Sequence, residues 1–310
     1  MSAISRRTAL LGLLALGGCG LPSPQATVRI AAGETGGFYV EFARLLAAEL
    51  TATEPGLRVE VVETQGSVMN IGRVTTGGAD LALCLADALA AARAGEHPFG
   101  TAVPLPALGR VYENYMQLVV RADSPIRTLP DLAGRAVSLG AEGSGAALFG
   151  DRLLSAAGVA VTVDRHPLAG AVTALRTDRV AALLWSGGLP TPALADLDAS
   201  IGIRLLDLSP YLTTLRTRHG AVYEQVTVPG RTYSSPDAVT TIGVPNLLVP
   251  APDLPDAVIR ATVHTLVDHA TRLVPQQALG TQYLDVRSLI DTTPAPLHPT
   301  AAETYRDLRG

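Results

Sequence analysis

Thr27-Val28-Arg29-Ile30-Ala31-Ala32-Gly33-Glu34-Thr35-Gly36-Gly37-Phe38-Tyr39-Val40 reads as a short apolar strand, a glycine turn and the opening of a helix. The helix continues through residues 40–53, where apolar side chains return at helical spacing: Val40, Ala43, Leu46, Ala47 and Leu50. Residues 57–63 alternate as a strand, and 67–76 predict a helix with Ser67 as its N-cap. A strand at 80–85 and an Ala-rich helix ending at Ala94 follow. This βαβα order marks a parallel sheet with helices on its faces. After prolines 104 and 106 a strand is expected at 116–121, and the pattern restarts. Strands are expected at 136–139, 159–163, 180–185, 203–208 and 240–249, with helices from Ser144 and near Ala171. The last sixty residues read as helices, clearest at 257–273. Two such α/β units joined by extended strands predict two lobes with a cleft between them, and open α/β sheets bind ligands at the carboxyl ends of their strands.

The chain has 310 residues, long enough for two domains and a large core. Hydrophobic residues make up 47% and charged residues 17%, which excludes global disorder. All 24 basic residues are Arg; without a lysine there is no P-loop, no Schiff base and no kinase strand lysine. A formal charge of −4 without a basic block gives nucleic acid no groove. The histidines have no metal-ligand spacing, and His264 and His269 point to different helix faces, so no metal is expected. No Gly-x-Ser-x-Gly elbow surrounds Ser67 or Ser144, and Gly143-x-Gly145 lacks the third dinucleotide glycine; neither a catalytic residue nor a cofactor is expected. Cys84, inside an apolar strand, reads as a small buried hydrophobe, and the Asp196/Asp198 pair as a solvated helix end.

Residues 1–18 read as an export signal: Arg6 and Arg7, a short apolar stretch over 9–16, then Gly17 and Gly18. Leu16-Gly17-Gly18-Cys19 resembles the lipobox of bacterial lipoproteins, which implies lipidation of Cys19 and anchoring on the outer face of the cytoplasmic membrane. Ser5-Arg6-Arg7 resembles a twin-arginine signal. Residues 19–26 would then be lipidated Cys and tether.

Three glycine-bearing turns each feed a helix: 33–39, 64–70 and 140–145. A helix N-terminus exposes N–H groups and partial positive charge, and glycine lets a ligand approach that backbone. Three such turns in one chain predict a shared anion site that needs no buried basic side chain.

Gly36-Gly37-Phe38-Tyr39, Gln65-Gly66-Ser67-Val68-Met69-Asn70 and Gly143-Ser144-Gly145 resemble the TAXI family, the extracytoplasmic solute receptors of TRAP transporters. Leu129-Pro130-Asp131-Leu132-Ala133-Gly134, Val228-Pro229-Gly230-Arg231-Thr232-Tyr233 and His298-Pro299 fit the same order. The resemblance implies a two-lobe type II periplasmic-binding-protein fold with crossings near 118–121 and 240–244. Lobe I would comprise 27–117 and 243–310, and lobe II 118–242. It implies a small carboxylated solute, a glutamate-like amino acid or organic acid, delivered to TRAP permease subunits. Gly36, Gly37, Phe38 and Tyr39 would line the first lobe, where Gly66, Ser67 and Asn70 would bond the ligand. Gly143, Ser144 and Gly145 would clasp its carboxylate, and Trp185, Ser186, Gly187 and Gly188 would form the back of the cleft. Three positions that the family keeps polar are here Val40, Ala86 and Ala146, which predicts a less polar pocket. A sensory lipoprotein feeding a membrane kinase, and an exported enzyme on the same fold, are the alternatives.

Overall fold

Each apolar run that the sequence marks as a strand overlaps a strand of one sheet in the computed structural model, which describes residues 26–275 and 284–309. The export signal, Cys19 and the tether through residue 25 lie outside the described residues. The first unit runs β1 (Ala26–Ala31), α1 (Phe38–Thr53), β2 (Leu57–Val62), α2 (Ser67–Thr75), β3 (Leu81–Leu85) and α3 (Ala86–Ala94). The long β4 (Gly109–Arg121) leads to the second unit: β5 (Ala136–Ser138), α4 (Gly145–Ala157), β6 (Thr162–Asp164), α5 (Leu168–Arg176), β7 (Ala182–Gly187), α6 (Pro192–Ile201) and β8 (Ile203–Leu205). Then come α7 (Leu212–His219), β9 (Glu224–Val228), the long return strand β10 (Val239–Pro250), α8 (Asp256–Asp268), α9 (Val286–Leu289) and α10 (Pro299–Asp307).

The strand order is β2-β1-β3-β10-β4-β7-β5-β6, with β8 on the end of β4 and β9 on β10. The outer strands of each half are parallel, as the βαβα reading requires. β3, β10, β4 and β7 pair antiparallel through the middle. β3, Leu-Ala-Leu-Cys-Leu, is buried along its whole length, which is why it is a continuous apolar run. α3 and α4 end where Gly95 and Gly158 take the left-handed conformation.

The chain passes between the two halves of the sheet in β4 and β10. Tyr115 pairs with Gly243 of β10 on one side and with Gly187 of β7 on the other. Before Tyr115, β4 lies against β10; after it, β4 lies against β7 and β8. β4 thus begins seven residues before the expected 116, and its pairing changes partner at Tyr115 rather than over 118–121. Its first half escaped the sequence reading because Arg110, Glu113 and Asn114 break the apolar pattern, although all three are buried. Arg110 is paired with Glu113 at 3.0 Å and with Glu224 at 2.9 Å, so the charges enter compensated. The largest apolar cluster includes Leu89 of the first unit and Phe149 and Tyr223 of the second, so the core is continuous across the lobes.

Candidate functional site

The turns after β1, β2 and β5, the ends of β3 and β7 and the middle of β4 line one pocket, with about 470 Å³ of atom-free space counted with its mouth. Three helices start on its wall: α1 at Phe38 and Tyr39, α2 at Ser67, and α4 at Gly145 and Ala146. The first N–H groups of a helix have no acceptor within it, and the aligned peptide dipoles add positive potential there. Among the described residues no Arg or His lines it, so an anion entering this pocket meets backbone N–H groups rather than a basic side chain.

Local sequence explains the close approach of these turns. Gly66 holds φ +119° as the N-cap of α2, a conformation that favours glycine. Ser67 is therefore the first helical residue rather than the cap. Its hydroxyl accepts the Leu85 N–H at 3.1 Å and lies 3.2 Å from the Tyr39 hydroxyl. Whichever of that pair donates to the other, one hydroxyl proton remains for a ligand. Ser144 does cap its helix, accepting the Ala147 N–H at 3.0 Å, and keeps its own proton to donate. A Cβ on Gly145 would stand 2.5 Å from Leu85 Cδ1 and 2.7 Å from Ser67 Oγ, so only glycine lets the two lobes meet there.

Direct bonds join the lobes around the pocket. The Met69 N–H at the start of α2 donates to the Gly143 carbonyl at 3.0 Å. The Leu168 N–H at the start of α5 donates to Glu34 Oε2 at 2.6 Å. Burial raises the Glu34 carboxyl above its ordinary range, and the Leu168 N–H opposes that rise. These two bonds hold the sides of the pocket together.

Of the residues expected to bind, the pocket brings together Gly37, Phe38, Tyr39, Gly66, Ser67, Ser144, Gly145, Trp185 and Gly187. Four others are not in its wall. Asn70 is fully buried, with its amide spent on Thr64 Oγ1 and on the carbonyls of Ala32 and Leu83, where it ties the turn to the sheet. Gly143 serves through its carbonyl, on Met69. A Cβ on Gly188 would meet the Phe38 ring at 2.6 Å, so this glycine packs behind that side chain. Gly36, at φ +80°, shapes the first turn. Trp185 is 9% exposed; its indole N–H donates to Thr191 Oγ1 at 3.1 Å, leaving its ring as wall. Of the three positions expected to make the pocket less polar, Ala146 lines it beside Leu85, whereas Val40 and Ala86 are fully buried in the apolar core and do not line it.

Sequence reasoning assigned no ligand role to Glu34, Gln65 or Asn114 in the wall, nor to Tyr112 behind it, whereas Ser186 was expected at the back of the cleft with Trp185 and lies there. Tyr112 stands edge-on to Phe38 at 4.7 Å and to Tyr39 at 6.2 Å, holding both rings. Asn114 and Ser186 are adjacent on β4 and β7, with the Asn114 amide donating to Ser186 Oγ at 3.0 Å. Only the register of the sheet brings them together. Cys84 is buried, and its thiol is pushed up by desolvation, as the reading of a small hydrophobe expects.

A second junction between the lobes lies outside the pocket. Arg152 of α4 stands 3.6 Å from Asp87 of α3 and 3.2 Å from Glu96. The Tyr223 hydroxyl donates to Asp87 Oδ2 at 3.1 Å, and Arg152 donates to that hydroxyl at 3.0 Å. Burial raises the Asp87 carboxyl, and Arg152 and Tyr223 counter it.

Among the described residues no cluster could hold a metal ion, and no helix is long and apolar enough to cross a membrane. A family model described as the NMT1-like family matches residues 30–308. The periplasmic binding protein BugD has a TM-score of 0.53 to this chain at 16% identity, covering 92% of this chain and 88% of its own. A protein from Bordetella bronchiseptica RB50 has a TM-score of 0.54 at 18% identity, covering 91% and 89%. These likenesses establish the fold as the two-lobe α/β fold of periplasmic binding proteins.

Proposed function

The chain belongs to the NMT1-like family, and on that premise we propose that it is an exported solute-binding receptor of a membrane transporter. One observation carries the reading: three helix N-termini from two lobes converge on one pocket that no basic side chain lines among the described residues. Such a pocket suits the carboxylate of a small solute. The ligand would bind one lobe and, through the second, favour the closed state. Ser67 or Tyr39 from the first lobe and Ser144 from the second would each donate a hydroxyl proton to it. The two lobes are read as 27–117 with 243–310, and 118–242. The fine reading is a TAXI-type receptor that hands its solute to TRAP permease subunits, tethered through a lipidated Cys19. The order and spacing of the three turn motifs support it. The function is binding and release without turnover.

The test is thermal unfolding of the chain from Gly20 with glutamate, glutamine, 2-oxoglutarate, succinate and phenylacetate in turn. A ligand that binds only the native state stabilises it by ~2.7 kcal/mol at a hundredfold excess over its dissociation constant. A saturable rise in the midpoint with one of these acids is the expected result. A flat response to every acid, or chemical conversion of one, contradicts the receptor reading.

A further inference from the structure

We propose that Glu34 makes the pocket selective for ligands that carry a positively charged nitrogen as well as a carboxylate. This inference rests on the receptor reading and narrows its ligand class. Among the described residues Glu34 is the one charged residue that lines the pocket. It projects from the turn between β1 and α1, and its Oε2 is fixed across the lobe boundary by the Leu168 N–H at 2.6 Å. That bond uses one oxygen, and among the described residues no cation reaches the other. Two further lining residues, Gln65 and Asn114, carry unpartnered acceptors. Gln65 Oε1 and Asn114 Oδ1 are both buried without a hydrogen-bond partner, and Asn114 is only 3% exposed.

The two kinds of wall have opposite polarity. The starts of α1, α2 and α4 attract negative charge. Glu34, Gln65 and Asn114 offer only acceptors where they are unpartnered. A ligand that is only an anion would satisfy the helix starts but bring its charge into a small pocket with a carboxylate. It would also leave buried acceptors without donors, which is costly. A zwitterion satisfies both walls: its acid group faces the helix starts and its ammonium N–H groups face Glu34 and the two amide oxygens. Burial disfavours the uncompensated Glu34 carboxylate, and an ammonium beside it offsets that cost.

The experiment is calorimetric titration with pairs that share a skeleton: glutamate against 2-hydroxyglutarate, and phenylalanine against 3-phenyllactate. Each pair is run on the wild-type chain and on Glu34→Gln, which keeps an acceptor for Leu168 but removes the charge. The expected result is that the amino acid of a binding pair binds roughly 10- to 100-fold more tightly in the wild type. That preference should fall to within a few-fold in Glu34→Gln, with the hydroxy acid bound no worse. Equal binding of the two members by the wild type overturns the inference, and this comparison does not depend on the variant folding. A preference that persists in a folded Glu34→Gln overturns it as well. In both cases the receptor reading survives, because a carboxylated ligand still binds. If neither member of either pair binds a folded wild-type chain, both the inference and the carboxylate reading on which it rests fall.

Discussion

The two lobes touch at two polar junctions of different character. At the Asp87–Arg152–Tyr223 junction almost every charge and hydroxyl has a partner within the protein. At the glycine turns, helix starts and two serines line a hollow together with Gln65 and Asn114, whose side-chain oxygens are buried without partners. The first junction is mostly satisfied from within, although Asp87 Oδ1 is buried without a hydrogen-bond partner, and its buried charges compensate one another. The second is the one where a bound solute is proposed to supply the missing partners. Polar groups next to each other at a buried interface normally find partners, so a group of unmatched ones beside a cavity marks where a ligand belongs.

The contrast can be broken from either side. Asp87→Ala leaves the Arg152 guanidinium, which is 7% exposed, without its buried counter-charge. This should cost about 3 kcal/mol or more of stability in urea unfolding, with Asp87→Asn costing less. A loss below ~1 kcal/mol would mean that the lobes open readily and Arg152 is hydrated instead. Gly145→Leu acts on the other junction, since its Cβ would collide with Leu85 and Ser67 across the cleft. Ligand affinity should fall roughly 100-fold by calorimetry while the far-ultraviolet spectrum stays unchanged. Unaltered affinity would show that closure is not needed for binding.

Two smaller changes sharpen the account within the pocket. Ser67→Ala leaves the Leu85 N–H and the Tyr39 hydroxyl without their partner, costing ~1–3 kcal/mol in unfolding free energy and weakening ligand binding as well. Trp185→Phe keeps a ring in the wall but loses the bond to Thr191. It should cost about 1 kcal/mol of stability and change affinity only a few-fold. A larger loss of affinity than of stability in this variant would show that the indole itself touches the ligand.

The alternation of strand and helix was legible because apolar runs and glycine turns are local signals. β1, β3 and α1 could be read from their own residues alone. What could not be read depends on neighbours distant in the chain. The first half of β4 carries Arg110 and Glu113, whose burial makes sense only beside Glu224, more than a hundred residues away. Asn70 sits at a spacing that places it near the ligand, but the backbone of Ala32 and Leu83 takes its amide first. Glu34 sits between glycines in a turn, and nothing in its local pattern tells that α5 of the other lobe will meet it. Glycine turns that start helices were the legible part of the candidate site, since strand, glycine and helix start are all local signals. The polar side chains proposed to set ligand class, Glu34, Gln65 and Asn114, were not, since they come from β4 and two turns that only the folded sheet unites.

The most direct measurement is a crystal structure of the chain with the acid that most raises its unfolding midpoint. The account predicts that acid between the lobes, with carboxylate oxygens about 3 Å from Ser144 Oγ and from the first N–H groups of α4. Density for the acid outside this pocket, or inside it with the carboxylate turned away from all three helix starts, would contradict the claim that backbone N–H groups take the place of a basic side chain.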